Sequence, residues 1–309
     1  MITSSLTIAT RESPLALWQA SWVKKELQRA YPELEVHLLC LKTSADKMLE
    51  TPLYKVGGKG LFVKELEEAL FSGKADIAVH SMKDVPMELP EGLDVPVMCK
   101  REDPRDVLVS NEYATLKDIP KNAIIGTSSL RRQSQLLALR PDLRVHFLRG
   151  NVNTRLTKLD DGEFDAIILA AAGLMRLNLS SRIRSFLTNE EMLPAAGQGV
   201  LGIECRAEDS NIIEIISCLN DVQTQVCVIA ERAMCRFLGG GCHVPIAACA
   251  KLNSDQITLR GLVARPDGKI ILCAQHVSGS EHAEQLGIVV AEELLRQGAQ
   301  EILDFHAEN

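Results

Sequence analysis

Gly73-Lys74-Ala75-Asp76-Ile77-Ala78-Val79-His80-Ser81 recurs in altered letters as Gly162-Glu163-Phe164-Asp165-Ala166-Ile167-Ile168-Leu169-Ala170. Each copy reads as a glycine turn, an acid and an apolar run of the length of a buried strand. Working outward, two more pieces pair in the same order. Ile8-Ala-Thr10-Arg11 matches Ile125-Gly-Thr127-Ser128, and Val36-His-Leu-Leu39 matches Val145-His-Phe-Leu148. Three matches in order predict two similar α/β halves, at 1–100 and 105–193.

Each half opens as strand, polar turn, helix. Ser13 is an N-cap with Pro14 at the first helical position, and Leu15, Trp18, Trp22, Val23 and Leu27 follow at helical spacing. Thr127-Ser128-Ser129 precedes a second helix with Leu130, Gln133, Leu136, Leu137 and Leu139 at its repeats. Helix N-termini at strand ends bind anions through unpaired N–H groups and the dipole, and ligands of open α/β sheets collect at the carboxyl ends of strands. Arg11, Arg131, Arg132, Arg149, Arg155 and Arg176 fall on or beside such turns. Lys100-Arg-Glu-Asp-Pro-Arg-Asp106 reads as a hinge, and Leu193-Pro-Ala-Ala-Gly-Gln198-Gly as a second crossing, after which strand 200–205 returns to the first half. A helix at 230–238, strands at 244–252, 256–263 and 269–277 and a helix at 281–297 predict a small α+β domain over 222–309. The first domain is 1–100 plus about 200–217.

The chain has 309 residues and a net charge of −7, which argues against a nucleic-acid partner. The charge is unevenly spread. From Gly126 to Leu187 there are nine Arg and one Lys against five acids, so this segment is +5 and the remainder −12. Arginine grips carboxylate or phosphate bidentately, although a basic stretch is also the ordinary look of a solvated face. The start of the chain carries no basic region followed by an apolar run, and no stretch reads as a membrane span, so the expectation is a cytoplasmic protein with no membrane partner. Nine cysteines without a C-x-x-C pair suggest neither a disulfide framework nor a zinc site.

Three stretches carry chemistry. Gly239-Gly-Gly-Cys242-His-Val-Pro245 marks a loop whose thiol is a buried structural cysteine, an attachment or nucleophilic thiol, or a metal ligand. His243 beside it reads as a solvent-facing or capping residue. His80-Ser81-Met-Lys83-Asp84-Val-Pro86 ends a buried strand, where a carboxylate can stabilise developing positive charge. Lys55-Val-Gly-Gly-Lys59-Gly-Leu-Phe62 lacks the G-x-x-x-x-G-K-[ST] of a phosphate loop, and 46–58 reads as a covering loop. Lys64 to Glu68 reads as the solvated face of a helix over 61–71.

Together, Thr10-Arg11-Glu-Ser13-Pro14-Leu-Ala-Leu-Trp18-Gln19-Ala, the Lys55–Phe62 stretch, Val79-His-Ser81-Met-Lys83-Asp84-Val-Pro, Gly126-Thr127-Ser-Ser129-Leu-Arg131-Arg132, Leu148-Arg149-Gly-Asn-Val-Asn-Thr-Arg155 and Gly-Gly-Cys242 closely resemble the porphobilinogen deaminase (hydroxymethylbilane synthase) family, from Leu6 to the C-terminal helix. The resemblance implies a monomeric enzyme of haem and other tetrapyrrole synthesis. It joins four porphobilinogen molecules head to tail with loss of ammonia and hydrolyses off linear hydroxymethylbilane. It also implies a dipyrromethane cofactor on Cys242 and two domains similar to class II periplasmic binding proteins. By resemblance Asp84 is the catalytic carboxylate, hydrogen-bonding pyrrole N–H groups and stabilising an azafulvenium cation. Ser81, Lys83, Thr127, Ser128, Ser129, Arg131 and Arg132 join Cys242 as cofactor-binding residues. Arg11, Ser13, Gln19, Phe62, Arg149, Arg155, Arg176 and Gln198 match substrate-binding residues, Lys55 and Lys59 match the covering loop, and no metal is implied.

Two departures stand out. The family commonly has Glu where this chain has Gly239, and Gln or Ser where it has His243. Near Asp46 it often has Thr-x-Gly-Asp, whereas this chain has Thr43-Ser-Ala45-Asp46. A non-catalytic two-lobed anion-binding or effector-sensing protein is the competing class, and a cysteine-dependent hydrolase a third.

Overall fold

A computed structural model describes residues 4–43, 63–240 and 244–307. By packing density the chain divides into two compact units, Met1–Glu102 with Val200–Gln225, and Asp103–Gly199 with Val226–Asn309. The fold is α/β, with two similar five-stranded lobes and a three-stranded C-terminal sheet.

The first unit holds β1 (Ser5–Arg11), α1 (Pro14–Ala30), β2 (Glu35–Leu41), α2 (Lys64–Phe71), β3 (Ile77–Ser81), β4 (Leu93–Met98), β10 (Leu201–Arg206) and α6 (Ser210–Ser217). Its strand order is β2-β1-β3-β10-β4, with β10 antiparallel to β3. The second unit holds β5 (Asp106–Val109), β6 (Ile124–Gly126), α3 (Leu130–Leu139), β7 (Arg144–His146), α4 (Val152–Asp160), β8 (Ala166–Ala170), α5 (Ala171–Arg176) and β9 (Ser185–Phe186), in the order β7-β6-β8-β5-β9. Here β5 is antiparallel to β8. The two orders are one topology, with an antiparallel strand fourth in each.

The quoted repeat explains why. Gly73 and Gly162 both sit at positive φ, 68° and 78°, and end the preceding helix as Schellman turns. Lys74 N–H donates to Ala69 O and Glu163 N–H to Lys158 O, the same bond eighty-nine residues apart. The acid three residues on then ties the third strand to the first. Thr7 N–H donates to Asp76 Oδ2 at 2.8 Å and Ile124 N–H to Asp165 Oδ2 at 2.6 Å, while the two acids' own N–H groups return bonds to Thr7 O and Ile124 O. Register follows: Ile8 pairs Ile77 and Ile125 pairs Ala166.

The second matched piece is displaced. Ile8 pairs Leu38 and Ile125 pairs Val145, so Leu38, not Val36, occupies the place of Val145. A two-residue slip keeps the same faces inward, which is why the letters still matched. In α1 the buried face is Ala16, Gln19, Ala20, Val23 and Leu27, and in α3 it is Arg131, Arg132, Ser134, Gln135 and Leu136, leaving Leu139 exposed. The predicted leucine stripe of α3 is therefore corrected: an internal carboxylate, described below, turns the arginines inward. Glu67 is likewise buried, whereas Lys64 and Glu68 pair on the solvated face of α2.

From Val226, within α7 (Val222–Phe237), the second unit continues with β11 (Ile246–Asn253), β12 (Gln256–Ala264), β13 (Ile271–Gly279), α8 (Ala283–Arg296) and α9 (Ala299–Ala307). Helix α7 starts eight residues before the predicted 230, because the β-branched run from Val222 hides it while the Asp221 side chain accepts from Thr224 N–H at 2.8 Å. Glu231 on α7 is fully buried and accepts from Gly197 N–H (2.8 Å) and Ala250 N–H (2.7 Å), fastening segment 193–199 to β11. Asp165→Ala should orphan the Ile124 amide and cost roughly 1–3 kcal/mol; urea unfolding checks it, and Asp76→Ala should match it if the repeat works alike in both lobes.

Candidate active site

In the first lobe, Ser13 caps α1 by accepting from Ala16 N–H at 3.3 Å, beside Arg11 at the end of β1. Strand β3 runs into a 3-10 turn, Met82–Asp84. Gln19 Nε2 donates to Ser81 Oγ at 2.8 Å, joining the helix face to the strand end. A pocket opens there, lined by Arg11, Ser13, Gln19, Ser81 and Asp84 together with His80 and apolar neighbours. One cation and one acid thus share a partly dehydrated recess. Lys83 lies in the same turn, half-buried.

The second lobe builds its polar centre around the residue that closes the polar hinge stretch Lys100–Asp106. Asp106 is 0% exposed at the start of β5. Arg131 Nη1 donates to its Oδ2 at 2.7 Å, and Arg132 donates to Oδ1 through Nη2 at 2.7 Å and Nε at 3.1 Å. Gln198 Nε2 adds a bond to Oδ1 at 3.0 Å and another to Pro104 O. Arg131 Nη1 also reaches Leu193 O, Arg132 Nη1 reaches Ile168 O, and Gln135 holds Leu193 through both its carbonyl and amide ends. Burial alone would push the Asp106 carboxyl upward; the two guanidinium groups overcome that and hold it well below the usual carboxylate range. Two guanidiniums against one carboxylate leave a surplus positive charge.

The other turns are shaped by local bonds. Ser128 Oγ donates to Leu148 O and accepts from Leu148 N–H, locking the loop after β7 onto the start of α3. Thr127 Oγ1 accepts from Ser129 N–H at 3.2 Å, and Ser129 occupies the N-cap without a side-chain capping bond. Arg155 Nε donates to Gly150 O at 2.8 Å in the turn that begins α4. Arg149 stands over the Phe147 ring, 6.0 Å from its centroid, and burial lowers its pKa. Arg176 is buried and donates to Gly199 O at 2.7 Å. The structure therefore gathers Arg131, Arg132 and Gln198 on Asp106, gathers Arg11, Ser13, Gln19, Ser81 and Asp84 in the pocket, and leaves Arg149 on the loop after β7 and Arg155 in the first turn of α4. Lys55, Lys59, Phe62, Cys242 and His243 lie outside the described residues.

The glycines before Cys242 have a clear local role. Gly239 N–H donates to Arg236 O and Gly240 N–H to Cys235 O, the paired bonds of a Schellman cap, with Gly239 at φ 65°. A Cβ on Gly240 would stand 3.1 Å from Cys235 O and 2.6 Å from Ile246 Cδ1. Helix α7 therefore ends at Phe237, and its cap closes at Gly240, two residues before the loop cysteine. Arg232 is buried on the same helix, and no motif in the sequence marks it.

Two family models match in succession: the dipyromethane cofactor binding domain of porphobilinogen deaminase over residues 6–214, and the porphobilinogen deaminase C-terminal domain over residues 225–296. The chain belongs to the porphobilinogen deaminase family. Membership makes it a transferase of tetrapyrrole synthesis, with porphobilinogen as the substrate the family implies. Solved structures of similar fold include a putative methionine-binding lipoprotein from Bacillus subtilis (13% identity, 70% of this chain, 90% of that one, TM-score 0.45). Others are an ABC-transporter substrate-binding protein from Coxiella burnetii (14%, 69% and 91%, 0.45) and the periplasmic VFT2 domain of Bordetella pertussis BvgS (14%, 69% and 85%, 0.42). In this family member, Asp106→Asn strips the counter-charge from two buried arginines and should cost about 3–5 kcal/mol. Because the folded carboxyl is held low, its contribution is present above the ordinary carboxylate range and fades as pH falls through the folded value. The gap between parent and variant in urea unfolding should therefore begin to narrow as pH falls below the ordinary carboxylate range and close in strong acid.

Proposed function

We propose that the chain is a hydroxymethylbilane synthase that joins four porphobilinogen molecules head to tail, loses ammonia at each joining, and releases linear hydroxymethylbilane by hydrolysis. The observation that supports this most is the acid–cation pocket of the first lobe, where Asp84 shares a recess with Arg11, Ser13 and Gln19. The repeat equates Asp84 with Gly173, so the fold itself does not require an acid there.

The residues present fit a dipyrromethane by the chemistry of their donors: its carboxylates suit the surplus positive charge at Arg131 and Arg132, and its pyrrole N–H groups suit a carboxylate acceptor. Cys242 would hold it by a thioether, with Ser81, Lys83, Thr127, Ser128, Ser129, Arg131 and Arg132 as polar partners. When bound, the group supplies a free pyrrole α-carbon as the starting point for assembly.

The chain's own residues then act on porphobilinogen. Its acetate and propionate are held by arginines, with Arg11, Arg149, Arg155 and Arg176 assigned to them, and bidentate geometry fixes the ring. Asp84 accepts a hydrogen bond from the pyrrole N–H. As the C–N bond of the protonated aminomethyl group breaks and ammonia departs with the electron pair, the ring becomes an azafulvenium cation, which the Asp84 carboxylate stabilises in a recess less polar than water. The C–C bond would form where an acceptor pyrrole α-carbon meets that cation, with Asp84 holding the charge until the ring proton leaves for a base.

Intact-protein mass spectrometry should find active chain heavier than its sequence by a dipyrromethane, and Cys242→Ser should abolish the increment. Active chain at its bare mass would overturn the attachment. Asp84→Ala should retain the increment and lose turnover by roughly 10²–10⁴-fold; unchanged ammonia release would remove Asp84 from the mechanism. Binding of porphobilinogen without turnover by the parent chain would instead favour a binding protein.

A further inference from the structure

The twin lobes differ in chemistry at three equivalent core places. The helix-to-strand repeat equates Glu67 with Leu156 and His80 with Leu169, and the antiparallel registers equate Glu204, opposite Ala78, with Val109, opposite Ile167. In the second lobe, Leu156, Leu169 and Val109 are buried within one hydrophobic cluster. In the first lobe the same places hold two carboxyls and an imidazole, all buried. His80 Nε2 lies 2.7 Å from Glu204 Oε2, their side chains 5% and 1% exposed. Glu204 Oε1 has no hydrogen-bond partner among the described residues. Burial, with Glu204 adding and His80 opposing, pushes the Glu67 carboxyl up to about 7. Buried polar groups cost free energy that an apolar packing of the same frame avoids, and the second lobe demonstrates that packing. Folding therefore does not explain the trio. His80, however, lines the pocket that contains Asp84.

We propose that Glu67, His80 and Glu204 form a buried proton-sharing cluster, and that His80 is the positioning residue through which its charge acts on the Asp84 pocket. This rests on the reaction proposed above. Glu204 accepts from Nε2–H and fixes the ring, while Glu67 supplies or withdraws one negative charge behind it. The neighbouring elements add few other charges. Arg11 closes β1, and Lys83 and Asp84 follow β3; α1 turns an uncharged face with Gln19 and Ala20 inward, and Arg206 on β10 is occupied by Asp76, Asp209 and two carbonyls. Ionisation of Glu67 places negative charge near the forming cation, so kcat rises with pH through about 7.

The test uses the full chain and two readouts. The seven histidine rings are followed by NMR across pH, with His80 identified by its loss in His80→Gln. The His80 ring should show an inflection near Glu67's pKa of about 7 that Glu67→Gln removes. The same variant should abolish the rise of kcat through that range with KM unchanged. A triple variant carrying the second lobe's residues, Glu67→Leu, His80→Leu and Glu204→Val, should melt no lower than the parent yet lose roughly tenfold or more in kcat. A Glu67→Gln profile superimposable on the parent's, or a folded triple variant with parental kcat, overturns the role of His80; a ring titration indifferent to Glu67→Gln overturns the proton sharing. A parent that makes no product sinks the functional reading and the positioning role with it, while the ring titration still reports the cluster.

Discussion

A guanidinium can be buried only where a counter-charge meets it, and in the second lobe one carboxylate does this for two. Asp106 sits inside the sheet edge with Arg131, Arg132 and Gln198 converging on it. Removing the carboxylate would leave two cations in a low-dielectric interior, so the orientation of α3, the start of β5 and the path of the 193–199 segment are all set by that contact. The pair is also incomplete as an electrostatic unit, since one negative charge faces two positive ones. A surplus cation held rigidly at a helix start is what a carboxylate-bearing ligand needs, because little side-chain freedom is left to lose on binding.

The same frame serves both lobes, and its polar inserts fall in different places. Where the second lobe has Asp106 the first has Leu201, and where the first has Glu67, His80, Glu204 and Asp84 the second has Leu156, Leu169, Val109 and Gly173. A duplication keeps what the backbone requires, here the positive-φ glycine and the strand-tying aspartate, while the side chains around them diverge. One lobe has become an arginine holder and the other an acid pocket.

The backbone requirements were the legible part of the sequence. Gly73-x-x-Asp76 and Gly162-x-x-Asp165 predicted strand, turn and topology because each letter has a local cause. The Ser13 cap and the strand–turn–helix order were readable for the same reason. What escaped depends on contacts between residues far apart in sequence. Asp106 looked like the last charge of a polar hinge, and only the arrival of α3 and Gln198 makes it the centre of a network. Glu67 looked like one more acid on a solvated helix, since helical periodicity places it but does not say that Glu204 lies across from it. The leucine stripe of α3 misled because an ion pair outweighed the pull of Leu139 toward the core.

The net charge of −7 would favour repulsion of a small polycarboxylate at long range, but screening limits that effect to about 10 Å in ordinary salt. Within that distance the local set decides. The +5 segment between Gly126 and Leu187 contains Arg131, Arg132, Arg149, Arg155 and Arg176, of which three are buried deeply enough that water screens them little. Acids spread over the remainder keep the chain anionic without weakening those contacts. A chain can thus be negative as a whole and still bind an anion. The requirement is that its arginines be held in place from inside, and Asp106 does that while cancelling only one of the two charges it touches.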